Sequence, residues 1–256
     1  MTRIKDITDF MDSICPPETA ESWDNPGLMT GKRDEKVTSV VLSLDVTSAA
    51  ITKCKKEGAN LLLTHHPLIF GGIDTVSMED TNGALLSLMI KNDITCYAVH
   101  TNLDKASEYS NFVLAKKLGA VPESVKELED CAYGAYYELP EEVTLGDYMK
   151  TIREALNGTG TISVNSKENR LRKVFVQGGS FEEDDIPAVV SSGADLVVSG
   201  EIKHHVTVLL AHKGILSIIA GHNATERVFV ENLKNVLEEK FPDVQFFYEP
   251  GFESVL

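Results

Sequence analysis

The chain has 256 residues, enough for one large α/β domain or for two smaller ones that share a core. Hydrophobic residues make up 43% and charged residues 25%, and the formal net charge is -15. That charge argues against a general nucleic-acid binder, because the phosphate backbone is itself negative. No apolar run approaches the roughly 18 residues of a membrane span, and charged residues interrupt the N-terminal apolar positions, which argues against a secretory signal. We therefore expect a cytoplasmic protein without a membrane partner.

The predicted elements alternate between helices and strands along the chain. The run from Ile4 to Ile14 has helical spacing and ends before Pro16-Pro17. After it, strands are predicted near Val37–Asp45, Asn60–Thr64, Ile94–His100, Ala132–Leu139, Leu171–Gly178, Asp195–Ser199, Ile215–Ala220 and Val244–Tyr248. Helices are predicted near Ser48–Glu57, Asp80–Lys91, Ser107–Leu118, Leu145–Leu156, Asp184–Ser192, His205–His212 and Thr225–Lys240. This alternation predicts an α/β fold with mixed, largely parallel sheets flanked by helices.

Two segments of the chain share a strand–helix–strand pattern with a similar beginning and end. In each segment the second strand is entered through Gly-Ala followed by Asn or Asp. Each continues into a strand that is followed by a histidine with an acid four residues on: His100 and Asp104 in the first, His222 and Glu226 in the second. We expect two related, interleaved halves, with a site at the strand carboxyl ends between them. The first half would comprise 1–125 with 220–256, and the second 126–219.

A pair of histidines follows the apolar run of the second predicted strand, in Thr64-His65-His66-Pro67. Ligands bind at the carboxyl ends of strands in open α/β sheets, because the loops there leave a crevice. Adjacent residues of a strand point to opposite faces, so two convergent imidazoles require the backbone to leave β geometry, and Pro67 favours an extended or turning conformation at His66. The alternative is one histidine in the core and one on the surface.

Chemically similar side chains collect at the predicted strand ends and use four of the seven histidines of the chain. The set is His65, His66, His100, Asp104, His222 and Glu226. Imidazoles mixed with carboxylates suit zinc, iron, manganese or cobalt, and the thiolates that select a structural zinc site are missing from the set. So many ligands exceed what one catalytic ion takes from a protein, whereas two ions about 3.5–4 Å apart, bridged by a carboxylate and water, would use them.

Several longer motifs occur in order and resemble one protein family. They are Glu21-Ser-Trp-Asp-Asn-Pro-Gly-Leu28, Ser43-Leu-Asp-Val-Thr47, Thr64-His-His-Pro-Leu-Ile-Phe70, His100-Thr-Asn-Leu-Asp104, Gly200-Glu-Ile-Lys-His-His205 and Gly221-His-Asn-Ala-Thr-Glu226. Together they are similar to the Nif-three-like family, whose members are named GTP cyclohydrolase 1 type 2 homologues. The resemblance extends from about Ile4 to the C-terminus.

This resemblance implies a two-domain α/β subunit, a toroidal homohexamer and two metal ions per subunit. The metal positions of the family fall on His65, His66, Asp104, His222 and Glu226. Glu226 would bridge the ions, and His100 would lie beside the centre, where it could orient Asp104 or a bound water. Glu201 departs from the Asp expected there, which would alter contacts near His204 and His205. The stretch 121–170 is too short for the domain that some relatives insert between the halves.

Four further features each admit two interpretations. Trp23-Asp24-Asn25 could cover the site or form a packed N-terminal turn. Asp45 could support a ligand or occupy a turn, and Gly178-Gly179-Ser180 could bind an anion or form a plain turn. His204 and His205 could line the centre or cap and pack the following helix.

The function that these patterns favour is that of a dinuclear metal-dependent hydrolase, using a metal-bridging water on a nucleotide or another phosphate-containing small molecule. The family name implies GTP, to which the sequence adds little, since no Walker loop is present. The alternative is a non-enzymatic metal-binding or chaperone-like ring protein. An open, water-bearing coordination position favours the enzyme, and a closed set of ligands favours the binder. His100 is the candidate catalytic residue.

Overall fold

The chain divides into two units in the computed structural model, which describes residues 1–157, 161–163 and 170–251. Among the described residues, the first unit comprises Met1–Ala106 with 230–251, and the second lies within Ser107–Phe229. Among the described residues, every helix is too short or too polar to span a bilayer.

Nine α-helices and ten strands occur in the described residues. The helices are α1 Ile4–Ile14, α2 Ser48–Glu57, α3 Thr81–Lys91, α4 Thr101–Lys105, α5 Asn111–Lys117, α6 Leu145–Ala155, α7 Ile186–Ser192, α8 His204–His212 and α9 His222–Lys240. The strands are β1 Gly27–Thr30, β2 Val40–Ser43, β3 Leu61–Thr64, β4 Thr95–Ala98, β5 Ala135–Thr144, β6 Thr161–Ser163, β7 Arg170–Phe181, β8 Leu196–Ile202, β9 Leu216–Ile219 and β10 Phe246–Glu249.

The sheet of the first unit has the strand order β1-β4-β3-β2-β10, and only β1 is antiparallel to its neighbour. Every residue of β2, β3 and β4 is buried, as expected for parallel strands covered on both faces. Ser43 pairs with Thr64, and Thr64 pairs with Ala98. The residues that follow these three strands therefore emerge along one edge of the sheet.

The sheet of the second unit has the order β5-β7-β8-β9-β6. Its three central strands are parallel, while β5 and β6 run antiparallel at the two edges. Phe175 of β7 and Val197 of β8 pack in one buried cluster with Leu210 of α8. Gln177 pairs with Ser199, and Ser199 pairs with Ile219. The strand ends are thus aligned in this sheet as they are in the first.

The ends of helix α2 follow directly from local chemistry. The Thr47 side chain accepts a hydrogen bond from Ala50 N at 3.0 Å, which satisfies a backbone donor of the first turn. The helix ends at Gly58, whose φ of 64° lies in the left-handed region that glycine adopts without strain. The predicted bounds of this helix, Ser48–Glu57, match those of the structure.

The predicted fold class is confirmed: both sheets are mixed, and helices flank them. All eight predicted strands occur, with shifted ends. The sequence analysis does not predict β1, β6 or α4, because β1 is a four-residue edge strand that opens on a glycine, β6 has only three residues and α4 only five. Such short elements show no hydrophobic period that a sequence pattern can detect.

Candidate metal centre

The carboxyl edge of the first sheet brings together three histidines of the predicted set. His65 and His66 follow β3, and His100 follows β4 by two residues. The ring centroids lie 5.0 Å apart for His65 and His66, 5.2 Å for His65 and His100, and 5.4 Å for His66 and His100. The predicted convergence of His65 and His66 therefore occurs, since β3 ends at Thr64 and the backbone bends at both histidines.

Each of these three rings has its Nδ1 atom held by an oxygen. His65 Nδ1 lies 2.8 Å from the Val99 carbonyl oxygen, which can only accept, so this nitrogen bears the proton. His66 Nδ1 lies 2.7 Å from Asp45 Oδ1, and His100 Nδ1 lies 2.8 Å from Asp24 Oδ1. Metal-binding histidines typically donate one ring N–H to a carbonyl or carboxylate in this way, which directs the other nitrogen to the ion.

The three histidines of the first unit could hold a metal ion. One ligand atom from each of His65, His66 and His100 lies within 4.8 Å of the others. Asp104 adds a carboxylate, with its Oδ1 atom 3.6 Å from His65 Nε2. Imidazole nitrogens with a carboxylate oxygen are the donors that zinc, iron, manganese and cobalt accept. The residues of this unit therefore fit a transition-metal ion.

Asp24 is a buried carboxylate that organises the surroundings of His100. Its side chain is 0% exposed, and it accepts hydrogen bonds from Thr101 N at 3.0 Å and Thr101 Oγ1 at 2.6 Å. Burial acts to raise the pKa of Asp24, but hydrogen bonds from Thr101 and His100 outweigh it, so the pKa is lower than the ordinary value. The sequence admits either a cover or a packed turn for Trp23-Asp24-Asn25. The structure makes Asp24 a support for His100.

His100 is neutral at physiological pH in the protein. Burial, followed by the charge of the neighbouring His65, lowers its pKa to about 4, although Asp24 opposes the shift. A neutral ring that donates from Nδ1 to Asp24 has its lone pair on Nε2. His100 thus has the same arrangement as His65 and His66, with which the sequence groups it, although the resemblance places it beside the centre and not among the ligands.

The second unit places His222 and Glu226 on one face of helix α9. They are four residues apart, the spacing at which side chains of a helix meet, and His222 Nε2 lies 2.9 Å from Glu226 Oε2. The Glu226 side chain is 5% exposed, whereas that of His222 is 34% exposed. His222 Nδ1 lies 3.5 Å from Glu201 Oε1. These two residues provide a second imidazole–carboxylate pair.

Gly179 and Gly200 have no side chains, and the space that side chains would fill is occupied by the Glu226 carboxylate and by the start of α9. A Cβ at Gly179 would overlap Glu226 Oε1, and the φ of this residue, +69°, is itself one that side chains disfavour. A Cβ at Gly200 would lie 2.7 Å from His222 Cα and 2.6 Å from the Gly179 carbonyl oxygen. The predicted alternatives for Gly178-Gly179-Ser180 were an anion site or a turn. The structure instead has an irregularity within β7, where the register shifts between Gln177 and Ser180.

The two halves can be aligned by their backbone hydrogen bonds. In the first, Val99 N donates to Thr64 O at 2.9 Å, and in the second, Ala220 N donates to Ser199 O at 2.7 Å. Each bond continues a parallel β–α–β–α–β arrangement at the same point beyond its third strand. The related architecture expected from the sequence is therefore present within each unit.

The aligned halves show that His100 and His222 are not equivalent positions. His100 lies one residue after Val99 and precedes helix α4 as its N-cap, with φ -115° and ψ -110°. His222 lies two residues after Ala220 and is the first residue of α9. The shared His-x-x-x-acid spacing is therefore offset by one residue. His222 faces Glu226 along its helix, whereas His100 turns to Asp24.

The remaining polar candidates have simpler surroundings. His204 and His205 are exposed in the first turn of α8, and His205 Nε2 lies 3.3 Å from Glu183 Oε2. Glu201 contacts His222, and its expected effect on contacts near His204 and His205 stays a prediction. Asp45 is a support for His66.

Comparisons with known proteins agree with this fold. A family profile described as Duf34/NIF3 (NGG1p interacting factor 3) matches residues 2–250. The chain is 29% identical over 249 residues to a GTP cyclohydrolase 1 type 2 homolog of Clostridium perfringens, covering 95% of each. It is 28% identical to the Protein NIF3 homolog of Schizosaccharomyces pombe, covering 95% of this chain and 90% of that one. The crystal structure of a Staphylococcus aureus hypothetical protein aligns with TM-score 0.85 at 26% identity, covering 99% of each chain. The chain therefore belongs to the Duf34/NIF3 family.

Proposed function

We propose that this protein is a hydrolase that holds two divalent transition-metal ions per subunit. The proposed ligands are His65, His66, Asp104, His222 and Glu226, with Glu226 as the bridge. The observation that supports the metal most directly is the shared arrangement of His65 and His66: each ring is fixed through Nδ1 by an oxygen acceptor, and their centroids lie 5.0 Å apart. Two such ions, when bound, lower the pKa of a shared water and polarise the bond to be cleaved.

His100 is the proposed proton-handling residue of this hydrolase. Its ring lies against both His65 and His66, and Asp24 fixes its orientation through Nδ1. A general base must lie within hydrogen-bond reach of the proton it takes and must keep the correct tautomer. Asp24 secures that tautomer, and Thr101 in turn holds Asp24. The substrate proposed is a nucleotide or another phosphate-containing small molecule, in accord with the names of the curated relatives.

A second candidate function is supported by the same histidine. His100, His65 and His66 present ligand atoms within 4.8 Å of one another, so His100 itself fits as a third imidazole ligand. A centre closed in this way would store or deliver metal instead of activating water. The toroidal homohexamer that the resemblance implies, and a cytoplasmic location, belong to both proposals.

One experiment separates the two candidates. Crystals of metal-replete protein, measured at the absorption edges of iron, zinc, manganese and cobalt, would give the identity, number and coordination of the ions. Two ions with a water-bearing position support the hydrolase. A single ion, or a set of protein ligands that closes every position, would favour the metal-binding protein.

Asp45→Ala is expected to weaken metal binding by roughly 10- to 100-fold, because the partner that orients His66 is lost. The dissociation constant for zinc, measured by competition with a chelator, checks this. Asp34→Ala is the matched control, since Asp34 is an exposed acid of the same unit. Equal affinities for both variants and the unmodified protein would show that His66 needs no support or is not a ligand.

Gly179→Ala is expected to lower metal affinity by roughly 10-fold or more, because its Cβ competes with Glu226 for space. The control is Gly214→Ala: Gly214 has a similar positive φ, +78°, but nothing lies within 4 Å of its added Cβ. Both variants carry backbone strain of about 1–3 kcal/mol, which thermal unfolding measures. A loss of metal affinity in both would attribute the effect to strain alone.

A further inference from the structure

Two exposed aromatic rings flank His100 in the first unit. Trp23 is 59% exposed and Phe70 is 49% exposed. The His100 ring lies 6.0 Å from that of Trp23 at an interplanar angle of 74°, and 5.7 Å from that of Phe70 at 79°. Both rings thus meet His100 in edge-on contact while presenting large apolar area to solvent.

Hydrogen bonds hold in place the two backbone segments that carry Trp23 and Phe70. Trp23 is followed by Asp24, which is buried and hydrogen-bonded to Thr101 and His100. Asn25 Nδ2 donates to the Ile69 carbonyl oxygen at 2.8 Å, directly before Phe70. This bond ties the two segments together. Rings held in place in this way lose little freedom when a ligand binds them.

We propose that Trp23 and Phe70 form a stacking site for a flat heteroaromatic ring. The inference rests on the proposed hydrolase and specifies its substrate class: a small molecule in which such a ring lies beside the reacting group. Aromatic side chains bind rings of this kind through their π faces, with little dependence on ring substituents.

The chain offers a direct reporter, because Trp23 is its single tryptophan. Fluorescence of zinc-loaded protein is titrated with guanosine monophosphate and, separately, with ribose 5-phosphate, which has the same sugar phosphate without the ring. Zinc is chosen since it has no redox chemistry. We expect saturable quenching by the ring-bearing probe and none by ribose 5-phosphate. Equal responses to both probes would overturn the proposal.

Phe70→Leu retains apolar bulk and the reporter but removes the second ring. It is expected to weaken binding of guanosine monophosphate by roughly 5- to 100-fold. Ile90→Ala, at a side chain that is 60% exposed in the same unit, should bind as the unmodified protein does. Unchanged affinity of Phe70→Leu would contradict the stacking site. A change of molar mass in Phe70→Leu, without a change in ring binding, would make this surface a contact between copies instead.

The outcomes keep this inference distinct from the proposed function. If the protein contains two metal ions but does not bind the ring, the stacking site is wrong and the proposed hydrolase is unaffected. If the protein binds the ring but holds no metal, and Phe70→Leu weakens ring binding, the proposed hydrolase is wrong and the stacking site is supported.

Discussion

Glu226→Ala should reduce the metal content of the purified protein from about two ions per subunit to well below one. A bridging carboxylate serves both ions, so its removal weakens both sites together. The Glu226 side chain is 5% exposed, and its Oε2 atom lies 2.9 Å from His222 Nε2. Elemental analysis after dialysis against metal-free buffer provides the measurement.

The matched control for this variant is Glu239→Ala, which removes an exposed carboxylate from the same helix. It should retain both ions and the same helical content. If unmodified, metal-replete protein contains one ion or none, the dinuclear proposal is wrong. If Glu226→Ala releases only one of two ions, Glu226 binds a single ion and does not bridge.

His100→Asn is expected to preserve metal content and oligomeric state while lowering turnover by roughly 10²–10⁴-fold, the range typical of a lost acid–base group. Asparagine can still donate a hydrogen bond toward Asp24, but it has no ring nitrogen to accept a proton. Turnover would be screened with GTP and a panel of phosphoesters, using the metal that co-purifies and added manganese or zinc.

The paired control is Thr101→Val, which removes the hydroxyl that donates to Asp24 at 2.6 Å but leaves the His100 ring in place. Its effect should be smaller than that of His100→Asn. If His100→Asn strips the metal, His100 is a ligand and the assignment of five ligands is wrong. If no compound is turned over in any metal state, the metal-binding alternative becomes the better proposal.

The strands and the histidines at their ends were predictable from the sequence because both depend on local pattern. Buried parallel strands such as Leu61–Thr64 are continuous apolar runs, and residues that follow such runs must emerge at one sheet edge. The role of Asp24 was not predictable, since it contacts His100 across 76 residues of chain. A contact between residues so far apart in the chain leaves no periodic pattern in the sequence.

The offset between the two halves marks a second limit of the sequence pattern. A spacing of four from histidine to acid occurs in both halves, but spacing does not show where a helix begins. His222 is the first residue of its helix, and His100 precedes its own. A shift of one residue along a helix rotates a side chain by about 100° around the helix axis. The two histidines therefore point in different directions although their spacing to the acid is the same. Only the backbone hydrogen bonds reveal the true correspondence.

The glycines beside the proposed bridging carboxylate have a consequence for how this protein can diverge. Gly179 and Gly200 contribute no functional group, yet any side chain at either position would collide with Glu226 or with the start of its helix. The two positions depend on different partners: a Cβ at Gly179 would meet the Glu226 carboxylate, whereas a Cβ at Gly200 would meet the backbone at His222 and Gly179. A shorter side chain at 226 would therefore relieve the collision at Gly179 but not its positive φ, and it would leave Gly200 as constrained as before.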